Sequence, residues 1–151
     1  MVFSRDIEAG LSNLRERARD LGLALTPQRI AIYGALLESR DHPSPEAVYD
    51  RVKPRLPGVS LATIYKTLDT LVQLGVAAEV PAQGATKRYD ANMERHHHLV
   101  CERCNEIEDF YDEAMSPRLP RTKNGFVARS VSCYVYGLCD RCARLQSAKK
   151  G

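Results

Sequence analysis

The stretch His96-His97-His98-Leu99-Val100-Cys101-Glu102-Arg103-Cys104 places three histidines directly before a Cys-x-x-Cys turn. A second turn of the same spacing, Cys139-x-x-Cys142, follows near the C-terminal end of the sequence. Two such turns supply four thiolates, which is the number that a closed tetrahedral zinc shell requires. The predicted ligands of this structural Zn(II) are Cys101, Cys104, Cys139 and Cys142. The histidines beside the first turn indicate a second metal close by.

Thiol–disulfide chemistry is the rival interpretation of these cysteines, since a single Cys-x-x-Cys motif is enough for it. Two matched pairs favour a metal instead, with oxidative release of zinc as a secondary interpretation. One cysteine of the five, Cys133, is left over. It lies in a stretch of alternating apolar residues, which predicts a small, half-buried strand residue rather than a reactive thiol.

Length and charge restrict the class of protein. The 151 residues suffice for one medium domain or two small ones. No apolar run approaches the roughly 18 residues that span a bilayer, and residues 1–20 carry mixed charge, so a cytoplasmic protein without a membrane partner is expected. The net charge is only +3, but acids cluster between Asp90 and Glu113 while arginine and lysine recur in the N-terminal half. This asymmetry predicts that the two halves have different roles.

The N-terminal half has the periodicity of four amphipathic helices. Apolar residues recur at steps of three and four, and Thr26, Ser44 and Ser60 stand where N-caps are expected, two of them directly before a proline. The predicted helices cover residues 5–21, 27–40, 45 to just before Pro54, and 61–74. Two short segments, 76–80 and 87–89, flank a turn and predict a hairpin, or wing. Helices followed by a wing indicate a winged helix-turn-helix, whose last helix enters the major groove of DNA.

The C-terminal part has a different pattern. Three strands are predicted over residues 98–102, 107–111 and 126–136, with Pro117 and Pro120 interrupting the segment before the third, and a final helix over 140–148. The predicted fold class is therefore α+β. A winged-helix DNA-binding domain covers residues 1–90, a hinge lies at about 90–95, and an α/β domain with the four-cysteine zinc site covers 96–151.

Five motifs in order resemble the Fur superfamily of bacterial metal-responsive repressors over nearly the whole chain. Besides the histidine–cysteine stretch they are Leu25-Thr26-Pro27-Gln28-Arg29, His42-Pro43-Ser44-Pro45-Glu46, Ser60-Leu61-Ala62-Thr63-Ile64-Tyr65 and Tyr136-Gly137-Leu138-Cys139-x-x-Cys142. The resemblance implies a C-terminal dimerisation domain, a homodimer on a palindromic DNA operator, and a regulatory metal at the hinge. The ligand positions that it implies are His42, Asp90, His96, His98 and Asp109.

The chemistry of these five residues agrees with a regulatory metal. Three imidazoles and two carboxylates suit Fe(II) or Mn(II), although Zn(II) would also bind. His96 and His98, two positions apart in a strand, lie on one side and His97 points the other way. Of a further metal site in the family, at Arg95, His97, Ser116 and Val131, only His97 is a good ligand, so that site is not expected here.

Aspartate at position 109 resembles the peroxide-sensing PerR branch, whereas iron-sensing members usually have glutamate there. The resemblance implies that Fe(II) at this site reacts with hydrogen peroxide and that a ligand histidine, His42 or His96, is oxidised. Three alternatives stay open. The first is a regulator of iron, zinc or nickel uptake without peroxide chemistry, the second a mononuclear iron enzyme, and the third a zinc-stabilised DNA-binding protein whose histidines regulate nothing.

The fourth predicted helix presents a polar side for DNA. Its candidate contacts are Ser60, Ala62, Thr63, Tyr65 and Lys66, with Lys66 suited to guanine and Tyr65 to a thymine methyl group or a phosphate. Phosphate contacts, which position a protein without reading sequence, are predicted for basic residues elsewhere. They are Arg17, Arg19, Arg29, Lys53, Lys87 and Arg88. The alternative is that these side chains form an ordinary solvated face.

Overall fold

The chain folds into two compact units, Met1–Met93 and Glu94–Gly151. The computed structural model describes residues 7–82, 84, 86–115, 125–127 and 131–148. None of the helices in these parts of the chain is both long and apolar enough to cross a bilayer.

The N-terminal unit contains four helices. They are α1 (Ile7–Asp20), α2 (Pro27–Glu38), α3 (Pro45–Val52) and α4 (Leu61–Gln73). The three expected caps are present, because the hydroxyls of Thr26, Ser44 and Ser60 each accept a hydrogen bond from the backbone N–H three residues on. The predicted start of α1, residues 5–6, lies outside the described residues. The prediction for α2 was two residues too long, since Ser39 already has an extended backbone with ψ of 136°.

The predicted wing is a hairpin of two three-residue strands, β1 (Ala78–Val80) and β2 (Arg88–Asp90). They pair antiparallel, with Glu79 opposite Tyr89. Two residues of the predicted turn, 83 and 85, lie outside the described part. The first strand is shorter than the 76–80 predicted because the Val76 N–H still donates to the Leu71 carbonyl oxygen of α4, at 3.1 Å, and pairing with β2 begins only at Ala78. Helices and hairpin together form a winged helix.

One core lies between the helices and the wing. Leu14 of α1, Leu36 of α2, Val48 of α3 and Leu68 of α4 are completely buried in it. A buried hydrogen bond crosses this core, because the hydroxyl of Tyr33 donates to the Val76 carbonyl oxygen at 3.2 Å. Burial of Tyr33 raises the pKa of its phenol to about 12.

Replacing Tyr33 with phenylalanine is expected to lower the free energy of unfolding by about 1 kcal/mol at neutral pH, because the buried Val76 carbonyl loses its donor. The unfolded phenol ionises near pH 10 and the folded one near 12, so the wild type loses stability as pH rises through this window. Y33F should lose less over the same window. Urea unfolding at several pH values measures both effects, with Tyr49→Phe on α3 as control; equal alkaline losses in Y33F and wild type would contradict the assignment.

The C-terminal unit is a small sheet followed by a helix. Its strands β3 (His97–Cys101), β4 (Ile107–Phe110) and β5 (Tyr134–Gly137) lie in the order β4-β3-β5, and α5 (Asp140–Ser147) follows. β3 pairs antiparallel with β4 and parallel with β5. The third predicted strand, 126–136, is confirmed at residues 134–136 and was wrong at 126–127 and 131–133. Residues 131–133 are not in a strand, 126–127 are exposed and irregular, and 128–130 lie outside the described residues, as do Pro117 and Pro120.

The length of β3 explains the short third strand. β5 is in register with four residues of β3, His98–Cys101, and β3 itself begins at His97, so residues before Tyr134 have little strand left to pair with. The contact extends only to Cys133, whose carbonyl oxygen accepts the His98 N–H at 3.0 Å. Cys133 is half-buried, as predicted, but it lies just before the strand instead of within it.

Candidate metal centres and nucleic-acid interface

The four paired cysteines converge in the C-terminal unit. Their sulfur atoms all lie within 4.8 Å of one another, and Cys104 Sγ is 3.7 Å from Cys139 Sγ. A tetrahedral zinc ion with Zn–S bonds of about 2.3 Å would hold its sulfurs about 3.8 Å apart, so the cluster has the dimensions of a four-thiolate zinc shell. The cysteines are not joined by disulfides. The cluster therefore fits a structural zinc site.

The electrostatics of the cluster also indicate a cation. The backbone N–H of Cys139 lies 3.3 Å from Cys101 Sγ and, with that of Cys104, lowers the pKa of the Cys101 thiol to about 6. Burial and the neighbouring thiols raise the pKa of Cys142 to about 12. The protein thus stabilises one thiolate and opposes another, and a divalent ion is the species that lets all four ionise together.

Three of the predicted regulatory ligands meet on one face of the C-terminal sheet. His96 Nε2 and His98 Nε2 are 2.9 Å apart, and Asp109 Oδ1 lies 3.3 Å from the first and 3.6 Å from the second. Ligands at right angles around an ion with bonds of about 2.1 Å are about 3 Å apart, so the three atoms have the spacing of adjacent corners of a coordination shell. Both imidazoles are only 6% exposed.

Strand register produces this convergence. His98 stands directly opposite Asp109 in the β3–β4 pair, and His96 lies two residues before His98 in the sequence. Because successive side chains of an extended chain alternate between the two faces, all three side chains lie on one face. His97 points the other way. It is 2% exposed, its ring centroid lies 5.3 Å from that of Phe110, and its Nδ1 has no hydrogen-bond partner among the described residues. Ser116, a position of the further family metal site that is not expected in this chain, lies outside the described residues.

The other two predicted ligands meet within the N-terminal unit. His42, in the loop between α2 and α3, brings Nε2 to 3.5 Å from Asp90 Oδ2 at the end of β2. Both side chains are 1% exposed. A buried imidazole and carboxylate whose donor atoms face each other, slightly too far apart for a good hydrogen bond, fit two neighbouring corners of a metal shell.

The fourth helix carries the predicted DNA contacts. Ser60, Ala62 and Lys66 are exposed, and Thr63 and Tyr65 are half-buried. The Tyr65 hydroxyl donates to Glu46 Oε1 at 2.7 Å, and this bond raises the pKa of Tyr65 while lowering that of Glu46. Sequence reasoning missed Glu46 as a partner of Tyr65, because the two lie on different helices.

Several basic residues considered for phosphate contact have intramolecular partners. Lys53 Nζ lies 2.6 Å from Asp50 Oδ1, and Lys87 Nζ lies 3.1 Å from Glu79 Oε2. Arg29 donates to the Ala24 carbonyl oxygen at 2.6 Å. Arg88, on the wing, is half-buried. Arg17 and Arg19 on α1 are exposed, as is Lys66 on α4.

Comparison with known proteins identifies the family of this chain. The family model described as "Ferric uptake regulator family" matches residues 20–136. The chain belongs to the ferric uptake regulator family. Peroxide-responsive repressors PerR from Staphylococcus epidermidis and Staphylococcus aureus are 30% and 31% identical to it, over 93% of this chain and 92% and 93% of theirs. The family is one of transcriptional regulators.

Solved structures share the fold. Fur from Helicobacter pylori, described with three functional metal-binding sites, has a TM-score of 0.73 at 21% identity and covers 95% of this chain and 97% of its own. PerR from Streptococcus pyogenes, described in relation to peroxide sensing, has a TM-score of 0.53 at 30% identity, with coverages of 88% and 92%. A zinc-bound manganese uptake regulator scores 0.63 at 28% identity, with coverages of 84% and 98%.

Proposed function

We propose that this ferric uptake regulator family member is a DNA-binding repressor that holds its operator only when a regulatory Fe(II) or Mn(II) is bound, and that it senses peroxide. The observation that carries the proposal is Asp109, which faces His96 Nε2 at 3.3 Å and completes a set of nitrogen and oxygen donors suited to these ions. The similarity to peroxide-responsive repressors supports the same conclusion.

Two metals have different roles in this proposal. Cys101, Cys104, Cys139 and Cys142 hold a structural Zn(II), since four thiolates leave no open coordination position. His42, Asp90, His96, His98 and Asp109 hold the regulatory ion. Neither the histidine–aspartate pair of the N-terminal unit nor the three donors of the C-terminal unit fill the shell of Fe(II) or Mn(II), so we propose that one ion takes both sets.

A shared ion would make the orientation of the DNA-binding domain depend on metal. His42 and Asp90 belong to the domain proposed for residues 1–90, the other three ligands to the dimerisation domain proposed for 96–151, and the hinge lies between them. In a homodimer, a fixed orientation would set the spacing of the two recognition helices, which must match the half-sites of a palindromic operator. Loss of the ion would release both domains.

The recognition helix α4 would enter the major groove through its exposed N-terminal side. Ser60, Ala62 and Thr63 allow close approach, and Lys66 can donate to guanine. Tyr65, with its hydroxyl bound to Glu46, would present its ring edge to a thymine methyl group. Arg88 on the wing is proposed as a phosphate contact.

Peroxide sensing would act through the ligand imidazoles. Bound Fe(II) supplies the redox chemistry that cleaves the O–O bond of hydrogen peroxide, and Mn(II) does not. The net change on His42 or His96 is one new C–O bond in place of a ring C–H, with the peroxide reduced and one water released. The oxidised ring is a poorer donor because its nitrogens lose basicity. The remaining ligands would then no longer hold the ion, and the orientation of the DNA-binding domain would no longer be fixed.

The test compares zinc-containing protein loaded with Fe(II) or Mn(II), each treated with equimolar peroxide. We expect one added oxygen on His42 or His96 by peptide mass spectrometry in the Fe(II) form, together with loss of binding to DNA selected from a random-sequence pool. The Mn(II) form should keep both intact histidines and DNA binding. Equal loss of DNA binding in the two forms, or an unmodified Fe(II) form, would contradict peroxide sensing and favour a metal-uptake regulator.

A further inference from the structure

The loop that carries His42 has a backbone conformation that needs support. His42 has φ of 47°, in the left-handed region that residues with a side chain rarely adopt. Its imidazole is nevertheless buried and faces Asp90. Such conformations persist where surrounding contacts impose them, often at functional sites. The contacts on each side of His42 therefore bear on how its imidazole is aimed.

On the C-terminal side, the wing holds the loop. The backbone N–H of Tyr89 donates to the Pro43 carbonyl oxygen at 3.1 Å. Because Pro43 follows His42 and Tyr89 precedes Asp90, this single bond joins the backbones beside the two proposed ligands. It acts only on the C-terminal side of His42, so the residues before His42 are held by other contacts.

On the N-terminal side, one arginine from α3 holds the loop at two points. Arg51 Nη2 lies 2.7 Å from Asp41 Oδ2, directly before His42. Its Nη1 donates to the hydroxyl of Ser39. That hydroxyl in turn donates to the Ala35 carbonyl oxygen, at 2.6 Å, in the last turn of α2. The guanidinium thus connects α3, the end of α2 and the residue that leads into His42.

We propose that Arg51 is a positioning residue for the regulatory metal site, acting through Asp41 and Ser39 to hold His42 in its left-handed conformation. The inference rests on the proposed function, since it assumes that His42 is a ligand. The Arg51 and Asp41 side chains are 38% and 61% exposed, and ion pairs so exposed contribute little to stability. A planar guanidinium fork, however, fixes two acceptors at once, which a lysine ammonium cannot do in the same geometry.

The experiment measures Mn(II) affinity of the zinc-loaded full chain by calorimetry. Arg51→Met keeps the apolar stem and removes the fork, and we expect about tenfold weaker binding, because supports of metal ligands typically contribute at least that much. Arg51→Lys should recover part of the loss. Lys53→Met is the matched control: it removes an exposed ion pair of 2.6 Å on the same stretch of chain, with no link to His42, and should bind Mn(II) as the wild type does.

Two further variants separate the possible failures. Asp41→Asn weakens the same contact from the loop side and should also lower the affinity for Mn(II). If R51M lowers the melting temperature of the Mn-free protein, the affinity of D41N is the result that tests the role of this contact. His42→Ala tests the site itself. Wild-type affinity in R51M and D41N, with weakened binding in H42A, overturns the role of Arg51 and leaves the site intact. Wild-type affinity in H42A overturns the site.

Discussion

Replacing Cys142 with serine is expected to abolish zinc binding and to unfold the C-terminal unit. This cysteine is 3% exposed, and its sulfur belongs to a cluster in which all four sulfurs lie within 4.8 Å. The described part of this unit has a three-stranded sheet, one α-helix of eight residues and a three-residue 3-10 helix, which is little core for independent stability. Structural zinc contributes on the order of 10 kcal/mol to small domains, more than such a core can replace.

The measurement is zinc content by elemental analysis together with circular dichroism and thermal unfolding of the purified protein. Cys133→Ser is the matched control, because Cys133 precedes β5 and is not among the clustered sulfurs. It should retain one zinc per chain and the wild-type melting temperature. A C142S protein that keeps stoichiometric zinc and a folded sheet would show that the four-cysteine cluster is not the structural site.

The helical part of the fold could be predicted because its signals are local. A hydroxyl side chain, a proline at the first helical position and apolar residues at steps of three and four fix α2 and α3 without reference to the rest of the chain. The third strand could not be placed in the same way. Alternating apolar residues predicted a strand over 126–136, but a strand extends only as far as its partner, and β5 pairs with β3 at only four positions.

The candidate metal ligands likewise differ in whether a local sequence pattern predicts them. The cysteine pairs and the His96–His98 alternation are local patterns, and Asp109 was identified only through the family resemblance. Contacts between different helices could not be predicted from any local sequence pattern. Arg51 and Asp41, or Tyr65 and Glu46, meet because α2, α3 and α4 pack together, and no spacing in the sequence indicates that either pair touches.

Removing one donor from either unit is expected to weaken the same regulatory site. If one ion takes both donor sets, wild-type protein with its zinc in place binds one Mn(II) per chain. His42→Ala and Asp109→Asn should then each lower the affinity by at least about 100-fold, since even supporting residues of metal ligands contribute 10- to 100-fold. Calorimetric titration gives both stoichiometry and affinity.

Glu108→Gln is the control for the loss of a carboxylate, because Glu108 is the exposed neighbour of Asp109 and pairs with Leu99 on the opposite face of the sheet. It should bind Mn(II) as the wild type does, so that a large effect of D109N reports coordination and not the change in net charge. Two separate sites would give a different result. Wild type would bind two ions, and H42A would lose one of them while the other kept its affinity, because His96, His98 and Asp109 would still meet on their own face.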